Sequence, residues 1–465
     1  MAVRRVVRRS QRISIEEEST EGTPVAETAN GAMLVSGEGA QIILDRDWLQ
    51  ANMMSGSFTT PTGVPGMWGD NIGAVLPTKL RGIGTLGAYG PDWQMPMKSG
   101  LGSELAATSG TIDTGATAIS IPVKTGGGSL QAGMLLYFPT QGEVRRVSAY
   151  SSPTITLDVP LSAIPSEDDD FKCGRQWLPT SDPDHPIFTL YAYFGASWDM
   201  RCRFTSCKTS QIKLSATNGG YCDMEFTCIA LEPTYDYTAQ AVTPNYDDTT
   251  PYLTCLNMQG WQRMAGTITG VPTTTETVLL APNFDVRKGQ DYIQVDTGSG
   301  VWETKLISDI SGDAPGNLTI SHAELSGAGT ATETAYILRS GCADFGSELE
   351  LTIDTPVAAK ECMYQTYGKA GLVSMDRNIT ITRTPYFESW EQFLMRDNAV
   401  GMSIMSIFGN ISGDDQNNIV AVWIGKAVNT AVSINNDDLM TNSVTSMACK
   451  DAVLGNDFEI VIAAF

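Results

Sequence analysis

The chain has 465 residues, a net charge of -22 and a pI near 4.4. That charge disfavours a nucleic-acid reader, which needs a basic face to neutralise phosphates. A hydrophobic content of 42% against 18% charged residues supports a packed core and disfavours wholesale disorder, and the length suggests two or three domains. With 45 glycines and 22 prolines, the composition suits many short strands joined by turns, so the expected class is all-β: sandwich or barrel domains, with few short helices.

Residues 1–30 change character twice. Arg4, Arg5, Arg8, Arg9 and Arg12 precede an acidic run, Glu16 to Glu18, and then Glu21. Such a segment has no core of its own and reads as an arm that orders on a partner. It lacks the apolar run of a secretory signal. The chain has no stretch of about 18 apolar residues, so no membrane span is expected.

From residue 31 to about 240 the chain reads as a first β domain. Ala74 to Ile83 is an expected strand, and Pro91 to Gly100 an expected short helix. A small barrel of four or five strands is expected over about 111–170. Its strands are TAISIPV, GMLLYF, GEVRRVSAY and TITLDVPL between Thr117 and Leu161, entered through a Gly/Thr-rich link at Thr108 to Ala116. Ile187 to Phe194 is the next strand. The clearest element is a hairpin within Arg203 to Glu232. A three-residue loop, Asn218 to Gly220, pairs Ala216 with Cys222, Leu214 with Met224 and Ile212 with Phe226. All the apolar side chains then share one face, with Gly220 in the left-handed position.

The boundary is expected at Pro233 to Pro251, and a second β domain over 241–465. Its own small barrel is expected over about 265–338, where TVLLAP, QDYIQV, VWETKLISDIS and NLTISHAEL repeat the earlier order. The two strand series keep nearly equal gaps, end on Leu161 and Leu325, and fit a duplicated ancestor. Further strands are expected at Leu349 to Ile353, Ile379 to Arg383, Met402 to Phe408, Ile419 to Ile424, Ala431 to Ile434 and Phe458 to Ala463. Ser389 to Arg396 is the second expected helix.

The chemistry is sparse. The two histidines, His185 in a turn-like Asp-Pro-Asp-His-Pro run and His322 in a strand, stand beside no nucleophile motif. Asp168 to Asp170, Asp414-Asp415 and Asn435 to Asp438 lack calcium-loop spacing and read as turn tips. No phosphate loop is present. Nine cysteines without a Cys-x-x-Cys suit free thiols in a reducing cytosol. The expectation is therefore no enzyme, no catalytic, cofactor or metal residues, and no cofactor.

Several stretches resemble the tail tube proteins of long-tailed bacteriophages. They are Glu18-Ser-Thr-Glu-Gly-Thr-Pro-Val25; Leu76-Pro-Thr-Lys-Leu-Arg-Gly-Ile-Gly84, with Pro91 and Met95-Pro-Met-Lys-Ser-Gly-Leu-Gly102; Ile187 to Gly195, Cys207 and Gln211 to Ser215; and Met224 to Cys228. The second half shows no copy of the Leu-Arg-Gly-Ile-Gly stretch. The resemblance implies a β-sandwich whose strands join those of neighbours into stacked rings, hexameric or, for a duplicated subunit, trimeric. It implies a virion protein assembled in the host cytoplasm. Its partners would be itself, the tape measure and the tail terminator. DNA would pass an acidic lumen without specific binding, and the arginine arm would grip the adjacent ring. The alternatives are another phage structural protein (capsid decoration or baseplate) and a carbohydrate-binding or adhesion protein.

Overall fold

The computed structural model of the protein describes residues 11–36, 39–49, 64–69, 72–83, 91–195, 199–246, 250–255, 258–270, 272–280, 284–297, 302–312, 317–340, 346–361, 369–410, 418–436, 440–450 and 459–465. The fold is nearly all β, with two short α-helices among these residues.

The first sandwich uses β1 (Gln11–Glu18), β2 (Ala32–Met33), β3 (Gln41–Ile43), β4 (Arg46–Leu49), β5 (Val64–Trp68) and β6 (Gly73–Lys79). Helix α1 (Gln94–Leu101) follows β6. After the first barrel, described below, come β15 (Ile187–Phe194), β16 (Met200–Thr217), β17 (Cys222–Ile229) and β18 (Glu232–Asp236). Strand β16 is long enough to serve both layers. Its first half pairs with β15 and β18, and its second half with β17. A bulge between Thr209 and Gln211 marks the change of layer, the usual means by which one strand turns a sandwich corner. One layer is β2-β1-β15-β16-β18 and the other β3-β6-β17-β16. Ile13, Ile15, Leu76, Phe188, Phe204, Ile212, Leu214, Met224 and Phe226 fill the space between them, alternating along their strands with outward residues.

Between α1 and β15 the chain forms a stem, β7 (Gly102–Leu105) with β14 (Arg175–Pro179), carrying a closed six-stranded barrel. The barrel strands are β8 (Thr108–Ile112), β9 (Ser120–Gly126), β10 (Leu135–Phe138), β11 (Glu143–Ser151), β12 (Thr154–Leu157) and β13 (Asp170–Cys173). The second half contains β19 (Gln259–Thr269), β20 (Glu276–Leu280), β21 (Asp291–Asp296), β22 (Trp302–Ser311), β23 (Asn317–His322) and β24 (Thr334–Ser340). These six pair in the same circular order.

The likeness of the barrels extends to single atoms. Both carry a bulge at the same place, Val147/Ala149 in one and Ile307/Asp309 in the other. Thr117 Oγ1 accepts from Ser120 N at 2.9 Å, and Thr273 Oγ1 accepts from Glu276 N at 3.0 Å. Leu161 N donates to Ala118 O and Leu325 N to Thr274 O, both at 2.8 Å. Glu143 accepts from Ser162 N and pairs with Arg145; Glu303 accepts from Ser326 N and pairs with Lys305. Even the left-handed residue recurs, as Asp168 (φ 68) and Thr332 (φ 73).

The second sandwich comprises β25 (Glu348–Asp354), β26 (Val357–Glu361), β27 (Lys369–Ser374), β28 (Asn378–Arg383), helix α2 (Glu391–Asp397), β29 (Gly401–Phe408), β30 (Val420–Asn436), β31 (Met440–Cys449) and β32 (Ile460–Ala464). It repeats the first. Strand β30 corresponds to β16, pairing with β29 and β32 along its first half and with β31 along its second. Its bulge at Asn429/Ala431 matches Thr209/Gln211, and Met402/Ile404 matches Phe188/Leu190. The series β25-β28-β31 corresponds to β3-β6-β17, and the β26–β27 hairpin to the β4–β5 hairpin. Each helix packs on the long strand of its own repeat.

Several expectations change. Residues 11–18 are not part of an arm but an interior strand, because Ile13 and Ile15 alternate into the core. Glu18 is buried, and its carboxylate accepts from Thr189 Oγ1 at 2.6 Å, Ser206 N at 2.8 Å and Ser206 Oγ at 2.7 Å. The β16–β17 hairpin has the expected register and loop, but Gly219 (φ 75), not Gly220, takes the left-handed position. The barrels have six strands, because the supposed link at Thr108 to Ala116 contains β8 and closes the ring against β13. The supposed boundary from Pro233 begins inside β18. Ile419 to Ile424 and Ala431 to Ile434 are parts of one strand, β30, interrupted only by its bulge. The strand expected over Ala74 to Ile83 ends at Lys79. Both barrels interrupt their sandwiches but at different points: the first between α1 and β15, the second between the start of β19, where Gln259 to Arg263 pair with Ile407 to Ser403 of β29, and β25.

Glu18→Ala strands the buried Ser206 amide and two hydroxyls. It is expected to lower stability by about 2–4 kcal/mol in urea denaturation, whereas a free arm would leave stability unchanged.

Candidate assembly surface

The two sandwiches meet strand to strand. Residues Gln211 to Thr217 of β16 pair antiparallel with Asp354 to Glu348 of β25. Ile212 lies opposite Ile353, Leu214 opposite Leu351 and Ala216 opposite Leu349, all buried. The apolar periodicity of both strands therefore fixes the register, since a one-residue slip would turn every one of these side chains outward. On the other face, Lys213 Nζ reaches Glu350 Oε2 at 3.1 Å.

This junction makes one eight-stranded sheet in the order β3-β6-β17-β16-β25-β28-β31-β30. Among the described residues, the outer edge of β3 and the edge of β30 after its bulge have no strand partner. Unpaired edges expose a row of backbone donors and acceptors that another chain can complete.

The face of this sheet turned away from the core is largely polar, with Val75 and Pro77 of β6 and Met447 of β31 also on it. Paired positions run Lys79, Asp223, Ser215, Glu350, Thr382, Thr445 and Ala431 across the strands. The strands β6, β17, β16 and β25 place Asp223, Glu225, Glu348, Glu350 and Asp354 there against Lys79 and Lys213. Both lysines are engaged, Lys79 with Asp223 at 2.7 Å. Five carboxylates against two lysines give a surface that repels phosphate. The strands β28, β31 and β30 contribute Thr380, Thr382, Thr445, Ser443, Ser433 and Asn435, which are uncharged.

Of the five arginines of the supposed arm, Arg4, Arg5, Arg8 and Arg9 lie outside the described residues. Arg12 belongs to β1, and its Nη1 donates to Gln240 Oε1 at 3.1 Å. It serves the sandwich and not a free arm.

The histidines hold structure together. His185 Nδ1 lies 2.8 Å from Ser99 O at the end of α1. Burial first, and then Arg377 and Lys208, push its pKa down to about 4, so the ring is neutral near pH 7. It lines a cleft of about 600 Å3. Arg377, also at this cleft, donates through Nη2 to Leu101 O and Thr180 O and pairs through Nη1 with Glu459 at 3.6 Å, so both terminal nitrogens are engaged and Nη2 joins the repeats. His322 Nε2 lies 3.0 Å from Thr277 Oγ1 and Nδ1 lies 3.0 Å from Ala323 O, inside the second barrel. No cluster of metal-ligating side chains occurs among the described residues. Asp169 caps its own turn, accepting from Ser166 N at 2.7 Å, while Asp414, Asp415, Asp437 and Asp438 lie outside the described residues. The seven described cysteines are free, with Cys222 Sγ 3.3 Å from Cys255 Sγ.

Sequence reasoning missed the buried ionic groups that join the parts. Asp158 of the first barrel lies between Arg146, at 3.6 Å, and Arg263 of β19, at 3.9 Å. Arg146 stacks 4.3 Å from Trp423 of β30, and Arg263 3.5 Å from Tyr336 of β24. Arg339 is held by Asp291 at 2.9 Å and paired with Glu391 of α2. The available signal was a charged residue in step with apolar ones along a strand, Arg146 in step with Val144 and Arg339 in step with Ile337.

No protein-family model matches the chain, and a comparison with curated proteins found no match.

His185 gives a pH signature. Its folded pKa lies below the unfolded value near 6.5, so the unfolded chain binds the extra proton as pH falls from about 6.5 to 4. Stability from this group is complete above about pH 6.5 and is lost through that window. His185→Gln is expected to flatten the fall in Tm between pH 6.5 and 4 relative to wild type, as read by thermal unfolding across a pH series.

Proposed function

We propose that the protein is the structural subunit of stacked rings that form the tail tube of a long-tailed bacteriophage, and that it performs no catalysis. The observation that carries this reading is the eight-stranded sheet. Two equivalent repeats are already joined edge to edge within one chain, and the sheet remains unpaired at β3 and β30 among the described residues. A sheet built by repetition and open at both ends is suited to closing into a ring with further copies, because closure removes the edges.

The chemistry of the exposed face supports the same reading. Turned toward a lumen, its carboxylates and hydroxyls would let DNA pass without the counterion release that holds it to basic surfaces. The barrels stand outside this sheet and are available to the exterior of a tube or to neighbouring rings. The segment 1–10, with Arg4, Arg5, Arg8 and Arg9, would contact the acidic surface of the next ring. The tape measure and tail terminator are the further partners that this role requires.

Negative-stain microscopy of the purified protein is expected to show uniform hollow tubes or stacked rings. A persistent monomer at high concentration would overturn the reading. Binding only to preformed shells would favour a decoration protein, and glycan binding by the monomer an adhesion module. Deleting residues 1–10 is expected to preserve Tm while shortening tubes severalfold. Unchanged tube length would remove the role of the arm.

A further inference from the structure

The junction inside the chain is a template for the contact between chains. We infer that β30 of one copy pairs antiparallel with β3 of the next, in the register that β16 and β25 use within the chain. This deepens the ring reading and rests on it, naming the strands and side chains that close the ring.

The correspondence is residue by residue. The bulges place Gln211, Ile212, Lys213, Leu214 and Ser215 of β16 on Ala431, Val432, Ser433, Ile434 and Asn435 of β30. On the other partner, Val75 faces both Thr227 and Gln41, while Thr382 faces both Thr445 and Glu350. Because Thr227 and Thr445 are equivalent, Gln41 corresponds to Glu350, and Ile42, Ile43, Leu44 and Asp45 to Leu351, Thr352, Ile353 and Asp354. The pairs of the internal junction then translate directly. Ala431 faces Asp45, Val432 faces Leu44, Ser433 faces Ile43, Ile434 faces Ile42, and Asn435 faces Gln41.

Three observations support the transfer. First, the apolar pattern matches: Ile212–Ile353 becomes Val432–Leu44, and Leu214–Leu351 becomes Ile434–Ile42, so both pairs fall on the core side. Second, the burial differs as an open edge requires. Ile212 and Leu214 are each 2% exposed, whereas Leu44 is 46% exposed and Val432 and Ile434 are only half-buried. Covering these aliphatic side chains is the favourable term of an added strand, and the backbone bonds supply the register. Third, the internal junction has a clasp. The β26–β27 hairpin reaches over the first repeat, with Leu372 N donating to Glu21 Oε1 at 2.6 Å and Ser374 N to Pro183 O at 3.2 Å. Its counterpart, the β4–β5 hairpin, follows β3 directly and is placed to reach over the neighbouring copy in the same way.

Disulfide trapping in the full chain tests the register. Ile43→Cys with Ser433→Cys places the two thiols directly opposite. Mild oxidation of the assembled protein should give covalent dimers and larger species on a non-reducing gel, at least tenfold above wild type and above each single variant. The shifted pair, Ile43→Cys with Asn435→Cys, should give at least tenfold less. Leu44→Lys, at an exposed position of the single chain, should leave Tm within a few degrees and abolish assembly. Wild-type rings that form while the shifted pair cross-links better, or while neither pair cross-links, would overturn this pairing and leave the ring reading standing. A wild-type chain that stays monomeric in light scattering would overturn both.

Discussion

Main-chain pairing between β16 and β25 is the interaction on which the rest of the molecule depends. It converts two sandwiches into one sheet, gives that sheet a continuous core face and a largely polar outer face, and leaves the unpartnered edges at the far ends. The ladder is possible because β16 changes layers at its bulge. Its second half leaves β15 and β18 behind and offers a free edge to β25. A shorter strand would have stayed in one layer and offered none.

The parts are further interlocked by exchange across the repeats. The stem strand β14 of the first barrel pairs with β32 of the second sandwich, through Trp177 opposite Ile462. Tyr137 and Val144 of the first barrel pack with Trp423 and Phe465 of the second sandwich. Asp158, between Arg146 and Arg263, ties the first barrel to the strand that enters the second. Burying such charges is costly unless they are mutually satisfied, so their presence is weak evidence for added net stability. That the barrels occupy different points of the two sandwiches is a fact of topology for which the structure offers no physical cause.

What the sequence revealed and what it hid follow a physical line. Local alternation with turn chemistry was legible: Ile212, Leu214 and Ala216 against Cys222, Met224 and Phe226 fixed a hairpin register to the residue. The repeated barrels were also legible, because strand lengths and gaps are local properties. The partners of a strand were not. Leu349 to Ile353 reads as a strand from its own alternation, but nothing in it names β16, more than a hundred residues earlier, as its neighbour. Bulges are equally silent, so β30 read as two strands. The run Glu16 to Glu18 read as a solvated segment because the donors that bury Glu18 lie on Thr189 and Ser206, far along the chain. Self-assembly stood in the sequence only as an expected class of behaviour; naming candidate strands for it required the three-dimensional repeat.

The uneven chemistry of the exposed sheet face has a consequence for how such a protein can evolve. Its charged positions sit on β6, β17, β16 and β25, and its hydroxyl and amide positions on β28, β31 and β30. A single-repeat subunit must present one chemistry at every position around a ring. Two repeats fused in one gene can diverge separately, so a circle of such chains would alternate acidic and neutral sectors with strict periodicity. In such a circle, fusion would break the rotational equivalence of the inner wall without sacrificing its closure, and mutation could tune one set of sectors while the other is held constant.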